Sequence, residues 1–151
     1  MRKYIYIFIF IPLLIFSCDY SPIYSSKGNY NFFIEKIEFN GDAEINNLID
    51  KNLKKFQTVR NKKKISILSS SSYNKVSQSK NLSGKTTNYL VIIEIAFQIK
   101  VGDKLNNLKF KEEFLIKNFS NKFEESNLEK IKKENATNLI INRLISQITQ
   151  M

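Results

Sequence analysis

One apolar stretch decides the fold of this chain: Tyr89-Leu-Val-Ile-Ile-Glu-Ile-Ala-Phe-Gln-Ile99. Every second residue from Tyr89 to Ile99 is large and apolar, which is the two-residue period of a β-strand with one buried face. The alternate positions include Leu90, Ile92 and Ala96, so the second face is partly apolar as well. Because strands that are apolar on both sides lie inside a sheet, we expect a central strand that is covered at least partly on both faces.

A second long strand is expected directly after this one. Gly102-Asp103 is a two-residue signal for a hairpin turn. Beyond the turn, apolar and charged side chains alternate, which predicts one face towards the core and one towards solvent. The apolar positions are Leu108, Phe110, Phe114 and Ile116, and the charged ones are Lys109, Lys111, Glu113 and Lys117. The two strands should therefore form a long antiparallel hairpin.

The residues before this hairpin predict a strand and then a helix. Residues 30–39 alternate imperfectly and favour a first strand with Phe33, Ile37 and Phe39 on one side. Asn40-Gly41-Asp42 supplies a turn and a capping side chain, and residues 43–57 then predict an amphipathic helix. Its apolar positions recur three or four residues apart at Ile45, Leu48, Ile49, Leu53 and Phe56.

A second strand is expected between this helix and the central strand. Ile65 and Ile67 alternate, but the residues from Ser69 to Tyr73 are markedly polar. A polar strand is not suited to burial on both faces, so we expect this one to run to an exposed edge or loop.

The last helix is expected to begin at Ser126. Ser126-Asn-Leu-Glu129 fits a capping box, in which the Ser hydroxyl and the Glu carboxylate each satisfy a free backbone N–H group. Its early turns carry charged residues that we expect in solvent, and its later turns carry an apolar stripe. The charged residues are Lys130, Lys132, Lys133 and Glu134, and the stripe is Leu139, Ile140, Leu144, Ile145 and Ile148.

These elements predict an α+β fold with the order β-α-β-β-β-α. Apolar stripes on two helices and one strongly apolar sheet face require a two-layer sandwich, with both helices packed on one face of a four-stranded, mostly antiparallel sheet. The other sheet face is mixed. Either another surface covers it, or a long twisted sheet simply exposes scattered aliphatic residues. Its apolar members would be Leu90, Ile92, Ala96, Leu115 and Phe119.

The N-terminus has the pattern of a lipoprotein signal peptide. Arg2 and Lys3 precede an apolar run that is shorter than the roughly 20 residues of a membrane span. The run ends at Ser17 and Cys18, and Cys18 is the only cysteine of the chain. We therefore expect cleavage between Ser17 and Cys18 and attachment of lipid to the Cys18 thiol, which acyl chains would make a stable anchor. The alternatives are an ordinary buried thiol or the end of an uncleaved membrane-tethering helix.

Three segments follow from this interpretation of the N-terminus. Residues 1–17 are the signal peptide, residues 18–28 are a lipidated tether with Pro22 and several serines, and residues 29–151 are a single domain. Because a signal peptide directs export, the domain is expected outside the cytoplasm, where a disulfide would be stable. One cysteine cannot form an intrachain disulfide, so the fold must be stable without one.

The chain is strongly basic, with a formal net charge of +10 that falls to +8 when Arg2 and Lys3 leave with the signal. Export argues against nucleic acid as the partner and makes lipid phosphates the expected one. The densest positive charge is Lys62-Lys63-Lys64, and further lysines follow around the next turn. Together they could bind phosphates if these loops lie at the same end of the sheet. The alternative is that these lysines keep the chain soluble and reflect a lysine-rich composition. The lysines around the next turn are Lys75, Lys80 and Lys85.

The residue types argue against an enzyme. The chain has no histidine, so Ser-His-Asp and Cys-His arrangements are absent, and a zinc site would lack its usual nitrogen ligand. The glycines are too far apart for a phosphate-binding loop. Glu112 and Glu113 are neighbours on a strand and should point to opposite faces, while Glu124 and Glu125 are expected as surface charge. We therefore expect no catalytic residues, no metal and no cofactor.

Three short motifs carry a resemblance to a known family. The opening Cys18-Asp-Tyr-Ser-Pro-Ile-Tyr24 resembles the Cys-Gly-Phe-x-Pro-Leu-Tyr start of the LPS-assembly lipoprotein LptE family, in particular its alphaproteobacterial members. Leu48-Ile-Asp-Lys-Asn-Leu53 is similar to the first helix of that family. Glu134-Asn-Ala-Thr-Asn-Leu-Ile-Ile-Asn-Arg-Leu144 is similar to its last helix, with Ala136 and Arg143 in suitable places.

The resemblance implies an outer-membrane lipoprotein, anchored at the periplasmic face. Such a protein binds and helps assemble the β-barrel LPS translocon and takes part in the transport and insertion of lipopolysaccharide at the outer membrane. The partners would be the barrel protein, lipopolysaccharide and the membrane, and not nucleic acid. In this setting Lys62, Lys63 and Lys64 become candidate contacts for the phosphates of lipid A.

One departure from the family pattern favours a different function. Asp19 stands where the family usually has Gly, and in some bacteria Asp after a lipidated Cys retains the protein in the inner membrane. The second interpretation is therefore the auxiliary lipoprotein of an inner-membrane ABC-type lipid transporter. A third interpretation, a lipid-anchored hydrolase, is disfavoured by the absence of histidine.

Overall fold

The structure is a computed structural model that describes residues 30–58 and 63–151. Ser17, Cys18 and Lys62 lie outside the described residues, and so do the predicted signal peptide and tether. The order of elements is β-α-β-β-β-α, as predicted. The elements are β1 (Phe32–Gly41), α1 (Ala43–Leu53) with a 3₁₀ helix directly after it (Lys54–Gln57), β2 (Lys63–Lys80), β3 (Thr86–Val101), β4 (Lys104–Lys117) and α2 (Lys122–Gln150).

The four strands form one mixed sheet in the order β1-β2-β3-β4. β1 runs parallel to β2, while the β2–β3 and β3–β4 pairs are antiparallel. β3 is a central strand, and from Val91 to Ile99 its inward side chains are fully buried. Both helices contribute to the core on this side of the sheet, which confirms the α+β two-layer sandwich. The predicted hairpin is also present, with Gly102 in its turn at φ +58°.

The inner face of β1 differs from the prediction. Phe32 and Ile34 are buried, and the pairing with β2 shifts between Ile34 and Lys36. After this irregularity Ile37 and Phe39 pack against the core. The predicted placement of Phe33 on the side of Ile37 is therefore wrong, because one additional residue in a strand reverses which side chains point inward.

The first helix forms as predicted. The Asp42 side chain caps its N-terminus by accepting a 2.9 Å hydrogen bond from the backbone N–H of Ile45. Ile45, Ile49 and Leu53 are fully buried, so the helix packs on the sheet by one face. The 3₁₀ helix that follows buries Phe56, whose ring centroid lies 5.2 Å from that of Phe32.

The last helix begins one turn earlier than the capping box predicted. It starts at Lys122, and the Asn121 side chain accepts a 3.0 Å hydrogen bond from the backbone N–H of Phe123. Ser126 lies inside the helix, so the prediction that it begins there is wrong. The physical reason is that Asn121 is itself a good capping residue, and Glu125 adds a 3.1 Å hydrogen bond from the backbone N–H of Phe119.

The buried face of α2 is rotated relative to the predicted stripe. It is centred on Ala136, Ile140, Leu144 and Ile148, which recur every four residues. Leu139 is 51% exposed, contrary to expectation, because it points about 100° away from Ile140 around the helix. Lys133 was expected in solvent and is only 8% exposed, because it lies on the same face as Ala136 and Ile140.

The two ends of the sheet have different neighbours. The first residues of β1 and β2 lie together with the β3–β4 turn, and we call this the proximal end because residues 1–29 join the domain there. The other end holds the β2–β3 turn and the start of α2, and we call it the distal end. In the described ranges β1 pairs with β2 only up to Ser71, so the distal part of β2 keeps one unpaired edge. The polar segment does not begin at an exposed edge as predicted, because Ser69 and Ser71 are buried between β1 and β3.

Candidate functional site

Two of the three predicted phosphate contacts, Lys63 and Lys64, lie at the proximal end and already have partners within the chain. Lys63 donates a 3.0 Å hydrogen bond from its Nζ atom to the carbonyl oxygen of Met151. Lys64 forms a 3.1 Å ion pair with Glu35, and both side chains are largely exposed. Exposed pairs of this kind are weak, so a phosphate could exchange with Glu35 at little cost.

The other predicted lysines do not join this group. Lys80 is the last residue of β2, and Lys85 lies in the turn before β3, so both are at the distal end. A strand that runs from Lys63 to Lys80 separates the two groups by about 55 Å at roughly 3.3 Å per residue. The condition for a joint phosphate site, that these loops lie at the same end of the sheet, is therefore not met. The sequence did not predict a strand of 18 residues here, because the segment is too polar to show a clear alternation of apolar side chains.

Lys75 is part of an internal network between β2 and α2. Its Nζ atom lies 3.1 Å from Glu125 and 2.6 Å from Glu129, and 4.6 Å from the ring centre of Tyr89. The hydroxyl of Tyr73 also donates to Glu129. Burial alone would lower the pKa of Lys75, but the hydrogen bonds to Glu129 and Glu125 outweigh it and raise the pKa. Lys75 is therefore a cation held for structure and is not available to a phosphate.

Glu125 is the most enclosed carboxylate of the network and not the surface charge that was expected. Its side chain is 7% exposed, and it accepts hydrogen bonds from Lys122 at 2.8 Å and from the backbone of Phe119. These hydrogen bonds, together with that from Lys75, lower its pKa. The sequence could not reveal this role, because the last helix was predicted to begin at Ser126. Glu125 therefore lay outside the helical pattern from which buried positions were predicted.

Lys133 extends the network to the first helix. It forms a 2.5 Å ion pair with Glu44, and its Nζ atom lies 4.2 Å from the ring centre of Tyr73. The network thus ties α1, β2 and α2 together, and lysine and glutamate charges balance within it. Each charged member of this cluster therefore has a partner of opposite sign within it.

The adjacent carboxylates of β4 point to opposite faces, as predicted. Glu112 forms a 2.5 Å ion pair with Arg143 on the helix side, while Glu113 pairs with Lys111 on the outer side at 2.6 Å. Within residues 30–58 and 63–151, acidic residues form no group that could hold a metal ion. In the same part of the chain, the helices are either too short or too polar to span a membrane.

Four of the eight large apolar side chains that are exposed in the described residues lie at the distal end. Val76, Leu90 and Leu115 are directly opposite one another on three strands and form a row on the outer sheet face. Leu82 in the β2–β3 turn is fully exposed, and Phe123 in the first turn of α2 is 72% exposed. We call Val76, Leu82, Leu115 and Phe123 the distal apolar residues. Other exposed apolar side chains lie elsewhere, namely Leu105, Ile131, Leu139 and Met151.

The outer sheet face is mixed, as expected, but Phe119 does not belong to it. Leu90, Ile92 and Ala96 are half-buried there, whereas Leu115 is 51% exposed. Phe119 follows the end of β4 and is half-buried near the start of α2. Salt bridges between neighbouring strands, such as Lys109 with Glu94 at 2.8 Å, keep the middle of this face polar.

Comparison with known proteins gives structural relatives only. No family model and no curated protein sequence matches the chain. Rare lipoprotein B from Shewanella oneidensis superposes with a TM-score of 0.57 and 13% identity, covering 76% of this chain and 97% of that one.

Two further solved structures are similar. Lipoprotein B from Nitrosomonas europaea, described as uncharacterized, gives a TM-score of 0.52 and 9% identity, covering 82% of this chain and 88% of that one. A candidate lipoprotein from Caulobacter crescentus superposes with a TM-score of 0.51 and 8% identity, and the match covers 78% of this chain and 88% of that one. Identities this low carry no site residues from one protein to the other. This chain therefore shares the fold of the solved rare lipoprotein B structure.

Proposed function

We propose that the chain is a lipoprotein of the bacterial envelope, anchored through Cys18. The support comes from two independent sources. The first seventeen residues and Cys18 have the pattern of a lipoprotein signal. The domain has the fold of proteins that are themselves described as lipoproteins, and it spans 97% of the Shewanella chain. A domain of this kind needs no disulfide, because a core of buried apolar residues and the network around Lys75 hold it together.

The more specific proposal is a partner of the outer-membrane LPS translocon. The protein would bind the β-barrel, help it assemble, and take part in transport and insertion of lipopolysaccharide. The observation that carries this proposal is the fold, because it agrees with the family to which Cys18-Asp-Tyr-Ser-Pro-Ile-Tyr24 bears a resemblance. The anchor would place the domain at the periplasmic face of the outer membrane.

The distal apolar residues are the surface that we assign to the barrel. Val76, Leu115 and Phe123 are about half or more exposed, and Leu82 is fully exposed. Apolar side chains at the centre of an interface contribute most of its binding energy, whereas a soluble surface gains nothing by exposing them. The distal end also lies farthest from Tyr30, the first residue that the structure describes.

We propose a role in binding and assembly without catalysis. Several carboxylates are engaged in ion pairs, such as Glu112 with Arg143 and Glu129 with Lys75. The chain offers no histidine as a proton carrier at neutral pH. Contact with lipopolysaccharide would need only positive charge, for which Lys62, Lys63 and Lys64 remain the candidates.

An auxiliary lipoprotein of an inner-membrane ABC-type lipid transporter is the second candidate function. Asp19 favours it, because that residue directly follows the predicted lipidation site. Both functions use the same anchored fold, so they differ only in the membrane and the partner.

Purification of the tagged full-length chain from membranes tests the two functions against each other. We expect an outer-membrane barrel to copurify, and we expect Leu82→Ser with Phe123→Ser to reduce its recovery at least about tenfold, since each exposed side chain removed from an interface core costs about 1 kcal/mol or more. Leu105→Ser is the matched control, because Leu105 is 59% exposed at the proximal end. Recovery of an ABC transporter alone would overturn the barrel proposal.

The lysine contacts have their own test. Replacing Lys62, Lys63 and Lys64 by Gln should weaken binding to lipopolysaccharide, and the loss should be larger at low salt than at high salt because exposed charges are screened. An unchanged affinity would assign the three lysines to solubility.

A further inference from the structure

We propose that the chain forms a homodimer in which the outer edge of β4 pairs with the same edge of a second copy. The two strands would run antiparallel, and two four-stranded sheets would join into one sheet of eight strands. The inference goes beyond the proposed function, because it concerns an edge of the sheet and not the distal surface that we assign to the barrel.

β4 has a strand partner on one side only among the described residues. The backbone N–H of Asn118, just after β4, donates a 2.8 Å hydrogen bond to the carbonyl oxygen of Thr87, so even-numbered residues point their backbone groups towards β3. Odd-numbered residues therefore point theirs outward, and the carbonyl oxygen of Leu115 accepts a 2.7 Å hydrogen bond from Lys132 of α2. From residue 105 to residue 113 the outward groups have no partner in the described part of the chain, so they are available to another strand.

The edge of β4 lacks the irregularities that keep exposed strands from pairing. β1, at the other side of the sheet, is irregular between Ile34 and Lys36. The free part of β2 directs Lys75 towards α2 and pairs irregularly after Ser77. Irregular pairing and inward-pointing charges of this kind protect an edge from strand addition. β4 has 14 residues, an unbroken register with β3 and no proline, so it can pair along its length.

One antiparallel register of two β4 strands places opposite charges against each other. With the two-fold axis at Glu112, Lys111 lies opposite Glu113 of the second copy, and Glu113 lies opposite its Lys111. An axis at Lys111 or at Glu113 would put that residue opposite itself, and an axis at Phe110 would put Lys109 opposite Lys111. Like charges directly opposite each other destabilise paired strands. The charges of β4 therefore favour the axis at Glu112 and a second copy of this chain as the partner.

Glu112 itself would face the Glu112 of the second copy across the axis. Its charge is already balanced, because Arg143 of α2 pairs with it at 2.5 Å. Two such ion pairs side by side form a neutral group, so the repulsion between the two carboxylates is offset.

The same register brings apolar side chains of the inner face together. Phe110 would lie opposite Phe114 of the second copy, and both rings are only half-buried at this edge. Phe114 borders a groove between β4 and α2 that Glu112, Ala136 and Leu139 also line. Leu139 is 51% exposed, and because it lies near Glu112 the axis would bring the two Leu139 side chains close to each other. Pairing of the edges would therefore also cover this apolar groove.

Disulfide crosslinking of the full-length chain tests the dimer and its register. Two differently tagged copies are coexpressed, one with Lys111→Cys and the other with Glu113→Cys. In the proposed register these positions are opposite each other, with Cα atoms about 5.5 Å apart, which a disulfide can span. Mild oxidation of the cells should therefore link the two tagged chains. Coexpressed chains without the new cysteines report any link through the natural Cys18.

The matched control moves one cysteine by two residues, with Lys109→Cys in one copy and Glu113→Cys in the other. Both positions stay on the outer face, but they become diagonal neighbours with Cα atoms about 7–8 Å apart, at or beyond the limit for a disulfide. The yield of linked chains should be at least about fivefold lower than for the opposite pair. No link between positions 111 and 113, or an equal yield from the control pair, would overturn the inference.

Lys111→Pro tests the backbone hydrogen bonds of the edge. The N–H group of Lys111 points away from β3, so proline removes no hydrogen bond of the β3–β4 pair, and edge strands accept proline. Copurification of one tagged chain with the other should fall at least about tenfold, because the bonds across the axis are lost. Lys111→Ala, which keeps the N–H group, should lower it less than about threefold. Equal losses for the two variants would contradict pairing through the backbone of β4.

The barrel proposal is tested independently of this edge. Recovery of the barrel depends on Leu82 and Phe123, and both residues lie outside β4. Lys111→Pro should therefore abolish self-association while Leu82→Ser with Phe123→Ser leaves it unchanged. Loss of self-association in the latter variant would overturn the inference, whereas loss of the barrel alone bears only on the proposed function.

Discussion

Lys63 and Lys80 are the first and last residues of the same strand, and about 55 Å of β2 separates them. This relationship gives the domain two chemically different ends. Free lysines lie near Lys63, where the N-terminal segment joins, and exposed apolar side chains lie near Lys80, where β2 turns into β3.

Among the three glycines that the structure describes, Gly41 is expected to tolerate substitution least. It has φ +92°, and a Cβ atom there would lie 1.8 Å from the carbonyl oxygen of Ser71 on the neighbouring strand. Gly41→Ala should lower the free energy of unfolding by about 3 kcal/mol or more, because backbone strain and a clash with backbone add up. Chemical denaturation measures the loss.

Gly102 provides the control for this substitution. It has φ +58°, but a Cβ atom there would meet nothing within 4 Å. Gly102→Ala should therefore cost only the conformational strain of about 1–2 kcal/mol. Equal losses for Gly41→Ala and Gly102→Ala would contradict the close approach of β1 to β2.

Two buried serines on β2 should respond in opposite directions to alanine. Ser69 is fully buried, and its hydroxyl has no hydrogen-bond partner among the described residues. Ser71 lies 2.7 Å from the side-chain oxygen of Asn46. Ser69→Ala should stabilise the protein by up to about 1 kcal/mol, while Ser71→Ala should destabilise it by about 1 kcal/mol. Thermal or urea unfolding would show the sign, and a greater loss at Ser69 would be inconsistent with this arrangement.

Lys75→Met should destabilise the domain by about 2 kcal/mol. The substitution leaves Glu125 and Glu129 close together without their shared cation, and a quarter of the Lys75 side chain is exposed, so the cost is below that of a fully buried pair. The free energy of unfolding measures it. Lys111→Met is the control, since its partner Glu113 is well exposed, and it should leave stability unchanged. Similar losses in both variants would mean that the network has no special role.

Stability should fall as the pH drops below about 4.5, the ordinary pKa of a glutamate. Hydrogen bonds from Lys122 and Lys75 lower the pKa of Glu125 in the folded protein. Burial would raise the pKa of Glu129, but hydrogen bonds from Lys75 and Tyr73 outweigh it and lower that pKa as well. The unfolded chain thus takes up protons first, so the stabilisation exists above pH 4.5 and is lost below it.

Urea unfolding between about pH 7 and pH 3 measures this dependence. Glu125→Gln should be less stable than the parent protein at neutral pH, and its stability should fall less steeply with acid. A parallel decline of the two proteins would show that Glu125 does not contribute to the acid sensitivity.

The central part of the fold could be predicted because its signals are local. The alternation from Tyr89 to Ile99 and the Gly102-Asp103 turn require no knowledge of the rest of the chain. The face of β1 could not be predicted, because the irregularity between Ile34 and Lys36 depends on pairing with β2. The predicted start of α2 was also wrong, because Asn121 and Ser126 can both cap a helix. The hydrogen bond between Glu125 and the backbone of Phe119 favours the earlier start at Asn121.

The candidate site was less predictable than the fold. The lysines of the 62–64 run were recognisable as a basic cluster, but only the length of β2 shows that Lys80 and Lys85 lie at the other end. Lys75, Glu125 and Lys133 look like ordinary surface charges in the sequence, because their burial arises from how the helices pack. No local pattern encodes such long-range pairs.

The most direct test of the account is photocrosslinking in living cells from the position of Leu82, at the distal end, compared with that of Leu105, at the proximal end. Both side chains are exposed and neither belongs to the core, so a photoreactive residue at either position leaves the fold intact. The account predicts a crosslink from position 82 to an outer-membrane β-barrel and none from position 105. A barrel crosslink from position 105 alone, or a crosslink from position 82 to an inner-membrane ABC transporter, would contradict it.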